Sequence, residues 1–105
     1  MRKCLHILFF FLFSFHFLFI TAQSQSTYNS LLKFVTLYNS GEYIKAEECL
    51  STLLNSKDSL SKEYLSIIYN NLGAAECALG KYPEAINSFL LAESNTIKDD
   101  NSDKY

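Results

Sequence analysis

A self-similarity at a spacing of 39 residues is the feature that most restricts the fold of this chain. The stretch Gly41-Glu42-Tyr43 corresponds to Gly80-Lys81-Tyr82, and residues after each stretch correspond as well. The further pairs are Ala46 with Ala85, Leu50 with Phe89, and Leu53 with Ala92. A fixed period of about 20 to 50 residues is typical of folds in which one supersecondary unit is repeated and stacked.

Helices are the predicted units, because apolar residues recur at intervals of three and four and show no sustained alternation with polar ones. Four helices are expected, at about residues 27–39, 43–55, 60–79 and 83–95. Gly41 and Gly80 should end the first and third helices, since glycine readily adopts the left-handed conformation of a helix C-terminus. Pro83 suits a first helical position, where a missing N–H costs nothing. The predicted fold class is therefore all-α, built from antiparallel helical hairpins.

Each predicted helix has an apolar stripe that should face a shared core. In chain order, the stripes are Tyr28, Leu31, Leu32, Val35 and Tyr38, widened by Phe34 and Leu37; Tyr43, Ala46, Leu50, Leu53 and Leu54; Leu60, Tyr64, Ile68, Leu72, Ala75 and Leu79; and Tyr82, Ala85, Ile86, Phe89 and Leu90. The polar break before the third helix offers Asp58 or Ser59 as its N-cap.

The second unit resembles the tetratricopeptide repeat (TPR), whose pattern is W-x2-L-G-x2-Y, then A-x3-F, then a proline. The matching residues are Tyr69 at the aromatic position, Leu72 and Gly73 at the Leu-Gly pair, Gly80 and Tyr82 at the turn, and Ala85 and Phe89 in the second helix. Glu76 and Ile97 depart from the pattern at its tyrosine and proline positions. The first unit fits only from Gly41 to Leu53.

This resemblance implies a TPR-like α-solenoid fragment with two repeats, at about residues 27–55 and 60–95. The matching residues then have structural roles, because small side chains let the two helices of a hairpin approach closely. We expect Gly73 to lie at a close helix crossing, with Ala85 opposite or near it, and Phe89 to fill the remaining volume. Residues 96–105 are either a polar tail or the start of a third repeat.

Residues 1–23 have the pattern of a secretory signal peptide. Arg2-Lys3 is followed by an apolar run from Leu5 to Ile20 and then by small residues from Thr21 onward. The run is 16 residues long, whereas a membrane-spanning helix needs about 20. The expected location is therefore outside the cytoplasm, periplasmic or extracellular. An uncleaved membrane anchor is the alternative, and only in that case is a membrane a partner.

The composition after residue 23 argues against several classes of function. This part of the chain has no His, Arg or Trp, and its seven lysines face eleven carboxylates, a net charge of about −4. Nucleic-acid binding depends on neutralising phosphates with Lys and Arg, so it is not expected. No motif of a hydrolase, metalloprotease or nucleotide-binding loop is present. We therefore predict no enzyme activity, no metal and no cofactor.

Cys49 and Cys77 are the cysteines that follow the signal-like segment. Export permits a disulfide between them, but free cysteine is also common as a small buried residue. The repeat register places Cys49 away from the third helix and Cys77 on the concave side of the array. A disulfide and two independent thiols both remain open from the sequence.

The concave face is the usual ligand surface of the family that this chain resembles. By that resemblance it is lined here by Leu31, Val35 and Tyr38 from the first unit, and by Ile67, Asn70, Ala74 and Cys77 from the second. The implied function is a non-catalytic interaction module for a protein or peptide. The alternative is the sensory front part of a longer, membrane-anchored regulator. Self-association or further repeats are also expected, because Ile86, Leu90 and Leu91 leave an apolar surface on the last helix.

Overall fold

A computed structural model describes residues 25–96, and over that range the predicted all-α hairpin fold is confirmed. Helix α1 covers residues 25–39. It is followed by α2 (Tyr43–Leu54), a short 3₁₀ helix (Lys57–Ser59), α3 (Lys62–Ala78) and α4 (Tyr82–Asn95). The expected signal peptide, residues 1–23, and residues 97–105 of the expected tail lie outside the described residues.

The turns that end α1 and α3 have the same backbone structure. In each, the glycine N–H donates to the carbonyl three residues earlier, and the next N–H donates to the carbonyl five residues earlier. Together these bonds form a Schellman motif, which requires a left-handed residue. Gly41 has a φ of 79° and Gly80 a φ of 75°. The residues that follow, Glu42 and Lys81, have φ/ψ of −84°/63° and −85°/64°. The sequence repeat is therefore also a structural repeat.

The core lies where the two hairpins meet. Its buried apolar members are Phe34, Ala46, Leu50, Ile68 and Ala75. Leu50 of α2 and Ile68 of α3 are the largest fully buried side chains. They belong to the predicted stripes of those helices, and α2 and α3 pack against each other. The apolar stripes of α2 and α3 were thus predicted correctly.

Part of the predicted apolar stripe of α1 is exposed rather than buried. Phe34 is its buried apolar residue, whereas Tyr28, Leu32 and Val35 are about half exposed. The physical reason is that α1 is apolar around most of its circumference, so periodicity alone does not fix which side faces α2. The helix is oriented by Phe34, which packs in the core and lies 5.6 Å from the Tyr38 ring, measured between centroids.

The predicted stripe of α4 is also largely wrong. The buried residues of α4 are the small ones, Ala85, Ser88 and Ala92, whereas Tyr82, Ile86, Phe89 and Leu90 are exposed to different degrees. Small side chains allow α4 to lie close to α3, and no helix among residues 25–96 covers the opposite side of α4. Ser66 of α3 adds a polar contact, because its Oγ donates to the Ala92 carbonyl at 3.0 Å.

The predicted close approach at Gly73 is confirmed, and Phe89, expected to fill the volume there, is its nearest neighbour. A Cβ atom at Gly73 would lie 2.6 Å from Cε1 of Phe89, well inside van der Waals contact. The nearest atoms belong to the Phe89 ring rather than to Ala85. Glycine at this position therefore makes room for an aromatic ring that lies across α3.

The N-cap of α3 is Ser61 rather than Asp58 or Ser59. Ser61 Oγ accepts a hydrogen bond from the Tyr64 backbone N–H at 3.2 Å. Residues Lys57–Ser59 form the short 3₁₀ helix instead, so α3 begins two residues later than predicted. A 3₁₀ turn followed by a serine cap satisfies backbone groups in a connection that the sequence shows only as polar.

Candidate interaction surfaces

The seven residues predicted to line the concave face fall into two groups. Val35, Ile67, Asn70 and Cys77 are exposed, whereas Leu31, Tyr38 and Ala74 are partly buried. Leu31 and Tyr38 pack against the core, and the Tyr38 ring contacts Tyr43 edge-on with centroids 5.2 Å apart. These two side chains therefore help to hold α1 against α2, and each keeps part of its surface exposed.

Apart from Leu31 and Tyr38, which pack against the core, α1 and α3 carry a set of exposed apolar side chains. It consists of Tyr28, Leu32 and Val35 of α1 with Ile67 of α3, and we call it the α1–α3 face. Tyr28 and Ile67 are 39 residues apart and thus occupy equivalent positions in the two units. The sequence reasoning missed Tyr28 and Leu32 as surface residues because it assigned both to the core.

The residues that match the repeat pattern have packing roles. Gly73 and Ala85 are buried, and Leu72 packs against the core. Tyr69 is partly buried, and Gly80 forms the turn. Phe89 covers Gly73 while remaining 39% exposed, and Tyr82 is mostly exposed. These positions support the hairpin and offer no arrangement of reactive groups.

An ion pair connects the two hairpins. Lys81 Nζ, in the turn before α4, donates to both carboxylate oxygens of Glu47 on α2, at 2.9 and 3.0 Å. The hydrogen bond to Glu47 raises the pKa of Lys81 above its ordinary value of 10.5. Any stability from this shift is present at neutral pH and is lost only as the pH rises through the raised pKa. Glu47 and Lys81 are 34 residues apart, so no local sequence pattern indicates this pair.

A buried polar pair lies between α3 and α4. Ser88 Oγ donates to Oε1 of Glu76 at 2.5 Å, and Glu76 is only 7% exposed. Glu76 is the residue that departs from the tyrosine position of the repeat pattern. The sequence did carry a signal for Ser88, since Ala85, Ser88 and Ala92 follow helical spacing as a stripe of small residues.

The two cysteines of the described chain are free thiols. Cys49 faces α1, where its Sγ donates to the Ser30 carbonyl at 3.4 Å. This contact agrees with the expectation that Cys49 points away from α3. Cys77 is exposed on α3. The disulfide that the sequence left open is therefore not formed in this structure.

Two further features bear on the site. Within residues 25–96, no group of three or more His, Cys, Asp or Glu side chains is placed to hold a metal ion. None of the helices in that range combines the length and the apolar character needed to cross a bilayer.

Comparison with known proteins yields no relative. No family model matches the chain, and neither a curated protein nor a solved structure matches it. The class that can be stated comes from the structure itself: residues 25–96 are a small all-α unit of helical hairpins packed in pairs.

Proposed function

We propose that this chain is a non-catalytic, protein-binding module of the tetratricopeptide type that acts outside the cytoplasm. The observation that carries the proposal is the α1–α3 face, where four large apolar side chains are exposed. Large apolar side chains exposed on neighbouring helices are characteristic of interaction sites when they form a continuous patch. The repeated Schellman turns support the repeat assignment, because each unit then presents its first helix in the same way.

The character of the α1–α3 face suggests what it binds. Tyr28 and Ile67 are equivalent by the repeat, and so are Val35 and Ala74, so these side chains form matching rows on the first helices of the two units. Asn70 is the exposed polar group among the predicted face residues, with no Lys or Arg among them. The face therefore fits a peptide with apolar side chains better than one held by its terminal carboxylate.

Selection from a displayed peptide library tests this function. We expect the chain to select peptides with two or more large apolar residues, and Leu32→Glu should weaken their binding at least tenfold. Leu32 is half exposed, so this change places a charge in the α1–α3 face with little effect on folding. Ile44→Glu is the control, since Ile44 is exposed on α2 outside the face. Equal binding by both variants would refute the assignment of this face.

Export is tested by the intact mass of the product that cells make from the full sequence. We expect a mass that lacks residues 1–22, 1–23 or 1–24, because cleavage follows the small residues after the apolar run. A control with Phe11→Asp and Phe13→Asp should remain uncleaved, since charges interrupt the apolar run. A parent product that retains residue 1 would favour the anchor instead.

A further inference from the structure

The two ends of the helical array differ in the polarity of their outer surfaces. Comparing equivalent positions in the two units shows this difference. The core-facing stripe of α3 consists of Tyr64, Ile68, Leu72, Ala75 and Leu79, all of them buried or partly buried. The residues 39 positions earlier, on α1 and in the turn after it, are Gln25, Asn29, Lys33, Thr36 and Ser40. All five are polar and exposed. The first end of the array therefore has a polar outer surface, as a terminal unit requires.

The other end of the array lacks such a surface. On α2, the positions Tyr43, Glu47, Leu50 and Leu54 are buried or partly buried, and α2 packs against α3. The equivalent positions on α4 are Tyr82, Ile86, Phe89 and Glu93, and all four are exposed. Leu90, beside them, is exposed as well. We call Tyr82, Ile86, Phe89 and Leu90 the back face of α4.

On α2, the equivalent positions are covered by α3, which begins after a connection of residues 55–61. Among residues 25–96, no helix packs on the back face of α4 in this way.

We propose that the back face of α4 binds the back face of a second copy of this chain, with the two α4 helices antiparallel about a two-fold axis. Head-to-tail stacking would place this apolar face against the polar stripe of α1, which cannot pack with it. The apolar face therefore fits itself better than it fits the other end. Such an isologous contact is closed and forms dimers rather than filaments.

The ends of the stripe are complementary in this arrangement. Tyr82 and Glu93 lie at opposite ends of one face, separated by three helical turns. An antiparallel two-fold contact places Tyr82 of each copy opposite Glu93 of the other, where the phenol can donate to the carboxylate. Ile86 of one copy then faces Phe89 and Leu90 of the other. The centre of the interface is thus apolar and its two ends are polar.

Sedimentation of the product made from the full sequence tests the proposal. We expect a dimer at tens of micromolar, and Ile86→Glu should weaken the dimer at least tenfold. Ile44→Glu is a matched control, because Ile44 is 63% exposed and Ile86 is 61% exposed, each on a second helix of its hairpin. Circular dichroism should show equal helix content in both variants. A monomeric parent, or equal association of the two variants, would overturn the proposal.

A cysteine variant tests the two-fold geometry. In a chain whose own cysteines are replaced by serine, Ile86→Cys should form a disulfide-linked dimer under mild oxidation. Residue 86 lies close to the expected axis, with an offset of about 4.5 Å between the two copies along the helix. Ile44→Cys in the same background should cross-link at least tenfold less. Equal cross-linking of the two variants would show that another surface, another arrangement or another occupant covers the back face.

Discussion

Replacing Gly73 with leucine is expected to lower the free energy of unfolding by about 1–3 kcal/mol, the usual cost of overpacking a close contact. The first added atom, Cβ, would already lie 2.6 Å from Cε1 of Phe89, and the rest of the leucine side chain extends beyond it. Leucine is a better helix former than glycine by about 0.8 kcal/mol, which offsets part of this cost. Urea denaturation followed by circular dichroism measures the difference.

A second variant separates the clash from other effects of the substitution. The Phe89 ring provides the nearest atoms, so Phe89→Ala should remove most of the penalty of Gly73→Leu. In a double-mutant cycle, the two changes together should cost at least about 1 kcal/mol less than the sum of the single changes. Additive costs, or a Gly73→Leu chain as stable as the parent, would show that the contact is not tight.

Removing the Ser88 hydroxyl is expected to cost about 1–3 kcal/mol, because a buried carboxyl group loses its hydrogen-bond partner. Glu76 is almost fully buried, and Ser88 Oγ donates to its Oε1. Water cannot readily replace that donor at a site closed by α3 and α4. Ser88→Ala should therefore be clearly less stable than the parent in urea denaturation. Ser94→Ala is the control, since Ser94 is exposed on the same helix and bonds the Leu91 carbonyl.

Two substitutions taken from the first unit should restore the stability that Ser88→Ala loses. The first unit has Leu37 and Cys49 at the positions equivalent to Glu76 and Ser88, so it carries less polar residues there. Glu76→Leu combined with Ser88→Cys should restore stability to within about 1 kcal/mol of the parent, because removing both partners leaves no unsatisfied group. If the double variant is as unstable as Ser88→Ala, the buried pair is not the cause of the loss.

The turns and the core of α2 and α3 could be predicted from sequence because their signals are local. A glycine at the end of a helical pattern identifies the turn at Gly41 and at Gly80, and both adopt the expected left-handed conformation. Ile68 and Ala75 lie in a stripe with a single clear phase, and both are fully buried. No longer-range information was needed at these positions.

The buried sides of α1 and α4 could not be predicted in the same way. Each has apolar residues on more than one side, so the sequence pattern is compatible with several rotations about the helix axis. Their orientation depends on which neighbours are present: Phe34 turns one side of α1 inward, and small residues turn one side of α4 toward α3. As a result of these orientations, Tyr28 and Leu32 lie on the α1–α3 face, whereas the sequence predicted them in the core.

The hydrogen bond between Glu76 and Ser88 could not be predicted from the sequence for a different reason. A glutamate in an apolar stripe normally indicates solvent, since buried carboxylates are rare without a partner. Its partner is on the next helix, and the pairing depends on the register of α3 against α4. Gly73 and the Phe89 ring pack in the same interface, so the polar contact depends on helix packing that the local sequence does not show.

The paired Schellman turns lead us to expect an order in which this chain acquires its structure. Residues 40–42 and 79–81 are the only links within the two hairpins, and such short loops close at little entropic cost. Each hairpin can therefore nucleate independently, which gives a low contact order and favours folding in the microsecond-to-millisecond range. We then expect the docking of α2 on α3 to follow, and the ion pair between Glu47 and Lys81 to form at that stage.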